Sequence, residues 1–220
     1  MIRDDVISMI LTRVGQRQND AVLQAQALVE LKFVQEELER GEKPNLPWFL
    51  KTEYTDAAFK TSASTPSVAV HTGFLRELDE ERAALFYQDA TLDDQWVALK
   101  KVDYDEGKTE FGGTVPGRPQ AYTLFGESYR FWPDPDAEYP LKALIFVTDA
   151  VLTTNVENKW LKHASKLIMG RTGEVVAGTL VRDEVAHAIF ADMASRGAEA
   201  LERMNTAREE AGRSREMGED

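Results

Sequence analysis

The sequence predicts an α+β protein, mainly a helical bundle with an inserted antiparallel β-region and a long C-terminal helix followed by a charged tail. Three observations carry this reading. Apolar residues recur at helical spacing at both ends of the chain, as in Ile2, Val6, Ile10 and Val14 and again from Val185 to Met204. Between the ends, residues 117–147, GRPQAYTLFGESYRFWPDPDAEYPLKALIFV, read as a β-meander of aromatic and β-branched runs broken by Gly and Pro. A hydrophobic fraction of 43% with 29% charged residues implies a modest core surrounded by exposed, charged helices.

The first helix has Asp4 and Asp5 favourably placed in its first turn and Gly15 near its end. A second helix follows, with Asn19 as its expected N-cap and a stripe of Leu23, Ala27, Leu31, Val34 and Leu38. The Gly41–Pro47 stretch ends it, and Trp48-Phe49-Leu50 is expected to plug helices against sheet. Thr61–Pro66 reads as a linker, Val68–Val70 and Ala83–Tyr87 as strands, Gly73–Arg76 as a turn and Asp93–Val102 as a helix. Four glycines and several charges make Asp103–Gly117 an expected exposed loop, including the acidic segment Asp105–Thr114.

In the meander, Gly126-Glu127 has the spacing of a two-residue hairpin turn between Ala121–Phe125 and Ser128–Trp132. Pro133-Asp134-Pro135-Asp136 interrupts pairing, and a third strand, Tyr139–Val147, carries apolar residues on both faces, as a central or doubly covered strand does. Asn155 or Asn158 then caps a helix containing Trp160, Ala164, Leu167 and Ile168, interrupted at Gly170 or Gly173. Asp183 caps the last helix. From Glu199 onward aliphatic residues thin out, and Glu199/Arg203 and Glu209/Arg213 have the i,i+4 spacing of an exposed helix. The expected division is a helical domain from 1–60 and 155–205, a β-rich region from 61–150, and a tail from 206–220 that either frays or orders on a partner.

Composition excludes several functions. No cysteine is present, which removes thiol catalysis, disulfides and Cys-based zinc sites. A formal charge of −12 opposes general nucleic-acid binding, which needs cations to displace phosphate counterions. No apolar run approaches the ~18 residues of a membrane span, and the first residues lack the pattern of a secretion signal.

Motifs that resemble chemistry are each incomplete. Glu184-Val-Ala-His187 has the Glu-x-x-His spacing of bundle metal sites but lacks its second copy, and His71, His163 and His187 lie far apart. Gly126-Glu127-Ser128-Tyr129-Arg130 begins like a nucleophile elbow in the wrong, hairpin context. Asp103-Tyr104-Asp105-Glu106-Gly107 begins like a calcium loop with its glycine one place early. Gly170-Arg171-Thr172-Gly173 lacks a phosphate-binding lysine and reads as helix packing or a kink. Asp79, Glu80 and Glu81 offer paired acids for glycoside chemistry, but adjacent acids in a charged run are usually exposed; a wall-degrading hydrolase using an Asp/Glu pair is the enzymatic alternative, and a helical scaffold protein is the other. The expectation is therefore no catalytic residue, no cofactor and no metal.

Taken in order, the opening helical pair, Trp48-Phe49-Leu50, Gly73-Phe74-Leu75-Arg76, Gly117-Arg118-Pro119 with Tyr122, Trp132 to Asp136, Tyr139, and Asn158-Lys159-Trp160-Leu161 resemble the head-to-tail adaptor (connector) proteins of tailed bacteriophages. The pattern spans roughly residues 1–205. It departs at His71, where a Leu-Pro pair is expected, and in the acidic, glycine-rich insertion around Asp105–Thr114. The resemblance implies a virion protein at the head-tail junction, with twelve copies in a ring. Its expected partners are further copies of itself, the portal protein, a tail or nozzle protein on the other side, and DNA passing through the channel without specific binding. Leu201 and Met204 are then the expected apolar anchors on the portal, with Arg203, Arg208, Arg213 and Arg215 pairing with its acids.

Overall fold

The computed structural model describes the chain except for residues 16, 42–45, 79–82, 90, 92–94, 114, 153–154, 156 and 217–220, and gives the backbone without side chains at 209 and 211–216. In chain order the elements are helices α1 (Arg3–Arg13) and α2 (Ala21–Arg40), a 3-10 turn (Trp48–Leu50), and strands β1 (Lys51–Tyr54), β2 (Ser67–Ala69), β3 (Phe74–Glu77), β4 (Leu85–Asp89), β5 (Gln95–Ala98) and β6 (Lys100–Lys101). Then come α3 (Tyr104–Glu106), widening into a π-turn over Gly107–Phe111, and strands β7 (Ala121–Phe125), β8 (Ser128–Trp132) and β9 (Leu141–Val147). The chain ends in α4 (Lys159–His163), α5 (Ser165–Val175) with a π-turn over Val176–Val181, and α6 (Glu184–Glu216). The fold is α+β, with largely antiparallel sheets and a long C-terminal helix.

The chain forms two compact units, Met1–Leu50 with Thr148–Asp220, and Lys51–Val147. The first boundary falls ten residues before the expected one because Lys51 to Tyr54 pair with Phe146 to Ala143 and so belong to the sheet.

In the helical unit, α2 buries the predicted stripe of Leu23, Ala27, Leu31, Val34 and Leu38. Its N-cap is Asp20 rather than Asn19: one carboxylate oxygen accepts from the backbone N–H groups of Val22 and Leu23. The helix over Trp160–Thr179 does not run through. It breaks at Ala164, between α4, which is capped by Asn158 through Leu161 N–H, and α5.

Gly170 and Gly173 do not interrupt α5; they let α6 approach. A β-carbon on Gly170 would lie 2.4 Å from Ala194 N, one on Gly173 2.4 Å from Phe190 Cδ1, and one on Gly197 2.6 Å from Leu167 N. The pairs run in opposite directions along the two sequences, so α5 and α6 are antiparallel along a seam of small residues. Of the two readings open for Gly170-Arg171-Thr172-Gly173, close helix packing is the observed one. The Asp183 carboxylate accepts from Ala186 N–H and caps α6 as expected.

The β unit holds two sheets around a shared core of Leu85, Tyr87, Tyr122, Tyr129, Phe131, Leu141, Ala143 and Ile145. One sheet follows the order β1-β9-β4-β5, and the other β2-β8-β7-β6. β9 is central as predicted, with β1 along one edge and β4 followed by β3 along the other.

The expected meander is corrected. β7 and β8 form the hairpin, turning at Gly126 with φ +60°, but β9 leaves them for the opposite sheet. The Pro133–Asp136 break carries the chain from one layer to the other. The expected helix at Asp93–Val102 is also corrected: residues 95–101 form β5 and β6, because Trp96 and Val97 favour a pleated surface and pair with Gln88 and Tyr87. Residues 104–111, expected as loop, are helical, and Phe111 packs with Val102, Ala121 and Trp132 on the face of the second sheet away from the shared core.

Candidate functional site

The site residues named from sequence all lie on the distal part of α6, in the helical unit. Leu201 is 1% exposed and belongs to the core, so it is withdrawn as a docking anchor: its position on the apolar stripe reflects packing inside the unit. Met204 is 40% exposed and available. Arg203 is exposed and bound to Glu199 at 3.2 Å, the i,i+4 pair expected. Arg213 and Arg215 lie on the helical backbone of α6, with side chains outside the described residues, as is the Glu209/Arg213 pair.

Arg208 has a role that sequence gave no signal for. Its guanidinium carbon sits 3.5 Å from the centre of the Trp48 ring, and one turn earlier Asn205 accepts the Trp48 backbone N–H at 3.1 Å. The Trp48 ring meets His163 edge-on at 4.9 Å, while Phe49 stacks on the same imidazole at 5.3 Å and meets Trp160 edge-on at 5.2 Å. Trp48-Phe49-Leu50 thus clamps α4 to α6 within the helical unit. Burial, with the cations Lys162 and Arg208 beside it, holds the His163 pKa below the ordinary imidazole value.

Next to this clamp lies a buried carboxylate. Glu39 accepts from Trp160 Nε1 at 2.7 Å, Gln35 Nε2 at 3.0 Å and Asp149 N–H at 3.1 Å. Desolvation pushes its pKa up, and these three donors oppose the rise without cancelling it. Asp149 in turn accepts from the first N–H groups of α4, and Asn158 joins Gln35 to the Ala150 carbonyl. The network fixes the chain where it returns from β9 to the helices.

The remaining motifs are placed apart. His187 Nε2 is 4.0 Å from Glu174, and among the described residues no group of three metal-ligating side chains occurs. Ser128 sits in the β7–β8 hairpin, beside its turn. Asp103 precedes α3, so the segment that resembled a calcium loop is helical. Asp79, Glu80 and Glu81 lie outside the described residues. Among the described residues no helix is long and apolar enough to cross a membrane.

The segment named from sequence is the distal part of α6. α6 has 33 residues, about 50 Å at 1.5 Å per residue. Among its described residues the last buried side chains are Leu201 and Asn205, and the last ring contact is that of Arg208. The helix continues to Glu216, with Arg203, Met204 and Thr206 on its exposed surface. No protein family matches the chain, and no curated protein does.

Proposed function

We propose that this chain is a virion structural protein, a head-to-tail adaptor that forms a ring under the portal, extends the DNA channel and gives the tail a platform. The observation that carries the reading is the run of α6 as helical backbone to Glu216, past Arg208, its last described ring contact. A helix end of two turns is marginal in water by itself, and one rich in Arg and Glu has little to bury against its own chain. A partner that covers it explains why the sequence keeps it helical. The order of motifs from the first helical pair to Asn158-Lys159-Trp160-Leu161 supports the same reading.

In this proposal Arg203, Met204, Arg213 and Arg215 meet the portal, and Arg208, held on Trp48, sets the direction in which the segment leaves. A ring of identical copies needs no reactive group, only a heterologous contact that closes. The net charge of −12 suits a channel along which DNA slides without sticking.

The test is a truncation after Arg208, co-purified with the portal protein of the same genome. Cutting at Glu199 instead would remove Leu201 and Asn205 and damage the core. The truncated chain should melt like the full chain and lose portal capture. Undiminished capture would rule out the α6 assignment.

A further inference from the structure

The β unit carries a surface that the adaptor reading does not use. Phe125, the last paired residue before the hairpin turn, is 64% exposed, where a polar residue would be favoured. It is not isolated. The Tyr104 ring, itself 42% exposed, lies 5.2 Å from Phe125 on one side and 5.3 Å from Trp132 on the other.

Trp132 is buried and lies against the backbone of Gly107, where a β-carbon would come within 2.3 Å of its indole nitrogen. Arg130 covers the Trp132 ring at 4.2 Å. The three rings form a ladder with a buried foot and an exposed end, held by packing rather than left to move.

The exposed residues next to Tyr104 and Phe125 in the chain are acidic. Asp103 and Asp105 flank Tyr104, Glu127 follows Phe125 in the turn, and all three are exposed. Among the described residues none of the three makes an ion pair, whereas Glu106 is satisfied by Lys100 at 2.7 Å. Lys108 is the cation on the same helical segment, outnumbered by its acidic neighbours.

We propose that the Tyr104–Phe125 face docks a basic segment of another protein, with an Arg or Lys side chain over the aromatic rings and its charge shared by Asp103, Asp105 and Glu127. Guanidinium groups stack on aromatic faces and pair with carboxylates at once, which is the combination offered here. A second copy of this chain is disfavoured as occupant, since two such faces would bring like charges together, and an anionic lipid or nucleic acid is repelled by the same carboxylates.

The test needs no portal, so its failure is separate from failure of the adaptor reading. The full chain, isotope-labelled, is titrated with acetyl-Arg-Leu-Arg-Leu-Arg-amide and with the same peptide carrying Glu for Arg. The basic peptide should shift amide resonances of residues 103–111 and 124–128, and the acidic one should not. Phe125→Ser, at an exposed position, should leave the melting temperature in place and weaken binding about tenfold, with a similar loss for Asp103→Asn combined with Glu127→Gln. Absence of binding, shifts spread over the whole acidic surface, or equal affinity of Phe125→Ser would overturn the proposal. Concentration-dependent shifts at Phe125 without peptide would overturn it too, giving the face to a second copy.

Discussion

The Glu39 carboxylate accepts the Trp160 indole N–H at 2.7 Å inside the helical unit, and this one bond joins the end of α2 to the start of α4. Glu39→Leu would leave the Trp160 and Asp149 donors buried without an acceptor, at a cost of about 2–4 kcal/mol. Glu39→Gln keeps an acceptor and removes the desolvated charge, so it should stay within about 1 kcal/mol of the wild type at pH 7. Urea titration of both variants checks the pair.

The raised pKa of Glu39 gives a pH dependence of definite sign. The folded chain holds this proton more tightly than the unfolded chain, so the contribution is fully present below the ordinary carboxylate value. It is lost as pH rises through the raised value. Glu39→Gln should flatten that part of the stability curve, which denaturant midpoints measured from pH 4 to 8 would reveal.

His163 acts in the opposite direction. Its depressed pKa means that the unfolded chain takes up the proton first. The clamp between Trp48 and α6 therefore keeps its full strength above the ordinary histidine value and weakens as pH falls through the window below it. Amide protection factors for residues 203–210 should drop over that window in the wild type, and His163→Phe should remove the drop.

Gly170→Ala tests the seam between α5 and α6. Helix propensity alone would favour alanine by about 1 kcal/mol. The new β-carbon would meet Ala194 backbone atoms at 2.4 and 2.7 Å, and backbone cannot rotate away as a side chain can. The net result should be a loss of about 2 kcal/mol or more, read as a lower denaturant midpoint.

In the β unit, Glu77 has a side chain only 3% exposed, and Lys101 Nζ lies 2.6 Å from it. Burial first, and then the nearby Glu77 charge, push the Tyr122 and Tyr129 phenols up. Lys101→Met strands a buried carboxylate and should cost about 2–3 kcal/mol, discounted for the partial exposure of the lysine. Adding Glu77→Gln should restore most of it, which a double-mutant cycle by thermal melting measures.

Much of the fold was legible because local pattern and tertiary role agreed. The α2 stripe, the Gly126-Glu127 turn and the Asp183 cap each follow from spacing or from one side chain. What failed was non-local. Whether β9 pairs with β8 or crosses to β4 is decided by which layer lacks a central strand, and nothing in Leu141–Val147 encodes that partner. Within Asp93–Val102, expected as a helix, residues 95–98 became a strand because Trp96 and Val97 had Gln88 and Tyr87 to pair with.

The candidate site was legible only in outline. The Arg and Met content of the final helix marked the segment proposed for docking, but Leu201 could not be told from a surface anchor by its position on the apolar stripe. The Arg208–Trp48 contact spans 160 residues and left no mark in sequence spacing.

The adaptor reading stands or falls on assembly. Electron microscopy of the purified protein mixed with the portal of the same genome is the most direct measurement. The account predicts rings of this chain stacked coaxially under the portal, with the end of α6 at the junction. Portal particles without added density, at concentrations where the protein is folded and in excess, would contradict it.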